Sequence, residues 1–151
     1  MIGYEVKSED VKKAITSRLI ELFPGVNVYK EANSTVRYPH FFVSQINLSD
    51  EEERKNYHIL TYSMDIRYRV ASDPSTDLKL QQKLDSMSYS LLKGFNIIPL
   101  NDDNLIRVSE KNTEKVDGVL HFFCTLKLVV KNVSDETKDK LNKLEVIING
   151  M

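Results

Sequence analysis

The sequence predicts one α+β domain, a mostly antiparallel sheet with two helices packed on one face, in the order α-β-β-β-α-β-β. Three observations predict it. Two stretches place apolar residues at helical spacing, two longer ones alternate apolar with polar residues at strand spacing, and proline, glycine and Asx residues separate them. The chain of 151 residues has the usual size of a single domain, and at 41% hydrophobic it can build a core without disulfides or a structural metal.

The first helix is expected over residues 9–22. Ser8, Glu9 and Asp10 supply a capping hydroxyl and two acids, and Val11, Ala14, Ile15, Arg18, Leu19 and Leu22 then fall on one side. Phe23-Pro24-Gly25 stops it, a short strand follows over 26–31, and residues 33–39 read as loop. Residues 41–48 are rich in strand formers. Residues 49–56 hold no apolar side chain and read as a solvated hairpin tip.

The clearest alternation spans 58–71. His58, Leu60, Tyr62, Met64, Ile66, Tyr68 and Val70 share one face, and Ile59, Thr61, Ser63, Asp65, Arg67 and Arg69 share the other, with Asp65 pointing outward. Leu80, Leu84, Met87, Leu91 and Phe95 mark a second helix over 77–93, ended by Gly94. A short strand over 105–109 and the turn Asp117-Gly118 lead into another long strand. There Leu120, Phe122, Cys124, Leu126, Leu128 and Val130 oppose His121, Thr125, Lys127 and Lys131. Residues 132–151 fit a helix over 135–143 followed by an extended Val146-Ile147-Ile148, and that end stays open.

Composition excludes several classes of function. With 21 basic and 22 acidic residues the formal charge is -1, so no overall positive field gathers nucleic acid or an anionic membrane, and neither is an expected partner. No apolar stretch reaches the roughly 18 residues of a membrane span, and the N-terminus lacks the apolar core of a signal peptide. The single cysteine, Cys124, forbids an intramolecular disulfide and fits a reducing compartment. His40, His58 and His121 sit in three segments without metal-ligand spacing, and Cys124 lies on an apolar strand face. The five glycines spell neither a dinucleotide turn nor a phosphate loop, and the acidic run lacks the alternation of a calcium loop. No catalytic residue, metal or cofactor is therefore expected, and the chain reads as a non-enzyme.

The candidate sites are surfaces. Asp50, Glu51, Glu52, Glu53, Arg54 and Lys55 form a charged segment suited to docking, and Asp65, Arg67 and Arg69 share the wet face of the long strand. Alternation also sets Phe41, Phe123, Ile59 and Val129 on the otherwise polar face, a pattern that a subunit contact produces.

Four blocks carry a resemblance. VYKEA at 28–32, YPHFFV at 38–43, YSMDIRY at 62–68 and DGVLHFF at 117–123, in this order, resemble the tail terminator (tail completion) proteins of phages and phage-tail-like particles of Gram-positive bacteria. The resemblance implies a structural protein that forms a ring, expected to hold six subunits. Such a ring caps the head-proximal end of the tail tube, ends its polymerisation and provides the joint to the neck, head or collar. The implied partners are further copies of the chain, the tail tube protein, a neck or head-completion protein and, where the tail is contractile, the sheath protein. The implied location is the bacterial cytoplasm during assembly and then the tail. A head-completion or neck connector ring, and a small α+β enzyme or ligand-binding domain, are the alternatives.

Overall fold

The computed structural model describes residues 8–31, 35–54, 56–71, 77–101 and 104–131. The reading of residues 132–151 lies outside them. Helix α1 spans Ser8–Leu22, and its buried residues are Val11, Ala14, Ile15 and Leu19, the apolar stripe of the sequence. The helical ladder ends at Phe23, whose N–H donates to Leu19 O at 2.8 Å. Strand β1 is only Asn27–Tyr29, shorter than expected.

Strands β2 (His40–Arg54) and β3 (Tyr57–Arg69) form the longest hairpin, joined through Asn56 at a φ of 74°. The charged segment is therefore not a turn. Asp50, Glu51 and Glu52 pair with Leu60, Ile59 and His58 as strand residues, because alternation does not require apolar partners where both faces meet water. Their exposure is as expected, while the side chains of Glu53 and Arg54, and Lys55, lie outside the description.

Helix α2 spans Asp77–Gly94 and buries Leu84 and Leu91, with Phe95 just beyond its end. Strand β4 (Ile97–Asn101) is an addition to the expected order. Pro99 argues against a strand in sequence, but here it lies in an edge strand, where the missing N–H costs no ladder bond. Strand β5 runs over Asn104–Val116, well past the expected end at Ser109. A bulge between Ser109 and Asn112, with Glu110 at a φ of 49°, breaks the alternation that would have revealed the rest. Asp117 (φ 51°) and Gly118 (φ 77°) both take the left-handed region, as a two-residue hairpin turn needs, and β6 (Val119–Lys131) follows.

The six strands make one sheet in the order β1-β2-β3-β6-β5-β4. It is mixed, since β1 joins β2 in parallel and the other neighbours are antiparallel. At its centre β3 and β6 stay in register from Tyr57↔Lys131 to Tyr68↔Leu120. Tyr62, Met64, Ile66 and Tyr68 of β3, and Leu120, Phe122, Cys124, Leu126 and Leu128 of β6, are all buried. These residues form one apolar cluster with the buried residues of α1 and α2. Phe95 meets Phe122 edge to face at 5.7 Å, and Phe41 packs between Phe23 and Tyr68 at 5.6 and 5.2 Å. Phe41 is thus a core residue, contrary to the sequence expectation; its strand partner Tyr68 fixes that side, and Phe42 occupies the opposite face.

Leu84 has no solvent exposure and anchors α2 to the cluster. Leu84→Ala is expected to lower stability by about 2–5 kcal/mol in denaturant unfolding, the range for removing a buried leucine side chain. A loss below about 0.5 kcal/mol would mean that α2 does not pack through this residue.

Candidate assembly surfaces

The sheet face opposite the apolar cluster carries an ordered group of polar side chains around Asp65. Register places Asp65 of β3 between Ser44 of β2 and Phe123 of β6, and Arg67 between Phe42 and His121. Arg67 Nε donates to Asp65 Oδ2 at 3.0 Å, and His121 Nδ1 lies 3.2 and 3.1 Å from the two carboxylate oxygens. Ser44 Oγ donates to the Asp65 carbonyl at 3.3 Å. The His121 ring stacks on Phe123 at 5.7 Å and 14°, and the Arg67 guanidinium lies over Phe42 at 5.9 Å.

Asp65 does not point into water as its place on the wet face suggests. It is only 5% exposed, because the side chains that bond it also cover it. A carboxylate so enclosed needs these donors, since burial without them would cost several kcal/mol. Chemically the group holds side chains in place and aims no nucleophile at an imidazole: Ser44 bonds the Asp65 backbone, not His121.

Of the residues singled out in sequence, the structure unites Asp65, Arg67 and Phe123. Arg69 stands apart and exposed at the end of β3, beside a shallow cavity of about 400 Å³ lined by Tyr38, Val70, Asp117 and Gly118. Its register partner His40 is buried against the rings of Tyr29 and Tyr38. Burial, and secondarily the Arg69 charge, hold the His40 imidazole below its usual pKa. The acidic segment lies at the other end of the sheet, where His58 Nδ1 meets Asp50 Oδ1 at 2.9 Å. Ile59 and Val129 pair across β3 and β6 on the polar face, with Val129 41% exposed.

Sequence reasoning missed His121, Phe42 and Ser44. Alternation alone assigns His121 to the polar face, but only the β3–β6 register brings it within reach of Asp65. Burial raises the Cys124 thiol to about 12, so it stays protonated as a core side chain. No group of three metal-ligating side chains exists among the described residues.

The α+β sheet thus has one face in the apolar cluster and an opposite face that carries ordered polar side chains. A comparison with family models matches the phage tail terminator protein family over residues 10–138, and the chain belongs to that family. It is a phage tail structural protein that associates with other tail components in the virion tail. No curated protein matches the chain.

Asp65→Ala is expected to cost about 1–3 kcal/mol in denaturant unfolding, since it strips partners from Arg67 and His121, which can recover part of their bonding from water. Wild-type stability in that variant would show that the carboxylate does not organise this face.

Proposed function

We propose that the chain is a non-enzymatic ring subunit that caps the head-proximal end of the tail tube. The ring ends tube polymerisation and carries the joint to the neck, head or collar. The observation that carries this reading is the family match over residues 10–138. The fold supports it physically. Buried residues of both helices share one apolar cluster with Tyr62 and Met64, and the opposite face, with Asp65, Arg67 and Phe123, is the one we assign to partners.

Closed rings of identical copies require two different patches on each subunit. The polar face and the two sheet edges supply them, and six copies are the expected number. Partners are other copies of the chain, the tube protein, a neck or head-completion protein and, in a contractile tail, the sheath. Assembly takes place in the cytoplasm of the host bacterium, without a cofactor.

The acidic end of β2, Asp50 to Arg54 with Lys55 beyond, extends a charged strand toward whichever partner it meets. Complementary charge there contributes to specificity and encounter rate more than to affinity. Glu51 and Glu52 are exposed, so replacing both with serine is expected to leave the melting temperature nearly unchanged. Tails assembled with that variant should be overlong or headless, as should tails assembled without the chain. Tubes of normal length and normal head attachment in the absence of the chain would refute the capping function. Normal tails with the serine variant alone would remove only the docking role of the acidic strand.

A further inference from the structure

Two parts of the sheet carry exposed patches of opposite charge, the free edge of β2 and, toward the other flank, the polar face of β5 and β6. On one flank, β1 covers β2 only as far as Phe42, and the rest of the outer edge of β2 has no strand partner among the described residues. The bulge between Gln45 and Asn47 leaves Ile46 58% exposed, and Leu48 is 42% exposed. The exposed acids Glu51 and Glu52 follow, projecting to opposite sides of this edge as the partners of Ile59 and His58.

Toward the other flank, on the polar face, Arg107 of β5 pairs with Lys127 of β6, and both are exposed. Two residues further along the same strands, hence on the same face, stand Leu105 at 68% exposure and Val129 at 41%. In both patches two apolar side chains stand within two to six residues of a charge on their own strand, roughly 7–20 Å along it. One patch is acidic and the other basic. None of Glu51, Glu52, Arg107 and Lys127 forms an ion pair with another described residue. Glu110, on the basic flank, accepts a hydrogen bond from Thr125 Oγ1 at 3.4 Å.

Scattered exposed leucines need no explanation, but an acidic strand edge and a basic sheet face, each with two exposed apolar side chains and with no ion pair to those charges among the described residues, form a complementary set. A head-to-tail contact needs this arrangement, with different patches on opposite sides of each copy. We propose that the occupant of each patch is a second copy of this chain: the Ile46, Leu48, Glu51 and Glu52 edge of one subunit docks on the Leu105, Arg107, Lys127 and Val129 face of the next. This rests on the ring reading and assigns its subunit contact.

The test uses the full chain in three forms: Arg107→Glu with Lys127→Glu, Glu51→Lys with Glu52→Lys, and all four changes together. Self-association is followed by light scattering after size exclusion, alone and on purified tubes, and melting curves check folding. Each single-flank variant is expected to assemble about ten-fold or more weakly than wild type, with an unchanged melting temperature, because like charges then face each other. The fourfold variant, and an equal mixture of the two single-flank variants, are expected to recover assembly by restoring opposite charges across every contact. Single-flank variants that assemble like wild type, or a fourfold variant and mixture that both stay dispersed, would overturn this pairing and leave the ring standing. A wild-type chain that never assembles, alone or on tubes, would overturn the ring and this contact with it.

Discussion

The register between β3 and β6 governs the rest of the structure. Twelve paired positions from Tyr57↔Lys131 to Tyr68↔Leu120 hold the two central strands together. Side chains alternate strictly along a strand, so this one alignment sends Tyr62, Met64, Ile66, Phe122, Cys124 and Leu126 into the core and their odd-numbered neighbours to the opposite face. A slip of one residue in β3 would bury Arg67 and expose Ile66. The apolar cluster that receives α1 and α2 exists only in the observed register, and so does the polar group around Asp65.

That polar group gives the second face its character. Surface charges on long side chains normally sample many rotamers, and ordering them at an interface costs entropy. Here Arg67 is held by the Asp65 carboxylate below it and by the Phe42 ring beside it, and His121 by Asp65 and Phe123. Part of the ordering is complete before any partner arrives. For a protein that associates with other tail components, such an ordered surface lowers the entropy lost on contact.

Much of the fold was legible because apolar periodicity is written directly into the core elements. The stripe Val11, Ala14, Ile15, Leu19 and the stripe Leu84, Leu91, Phe95 are buried as spaced, and Asp117-Gly118 makes the turn that its residues demand. What stayed hidden lacks such a signal. The outer half of β5, SEKNTEKV, is polar and bulged, so no period marks it as strand. β4 contains a proline that only its edge position excuses. The acidic end of β2 looks like a loop because pairing there depends on backbone bonds and not on side chains. The site was half legible: Asp65, Arg67 and Phe123 share a face by alternation, but the burial of Asp65 arises from cross-strand neighbours that a single strand's pattern cannot name.

The most direct measurement is negative-stain imaging of the purified chain mixed with purified tail tubes. Closed rings seated on one end of each tube, with the lateral tube wall bare, are the expected result. Tubes decorated along their length, or ends left uncovered while the chain remains dispersed, would contradict the assignment of this sheet as a capping ring subunit.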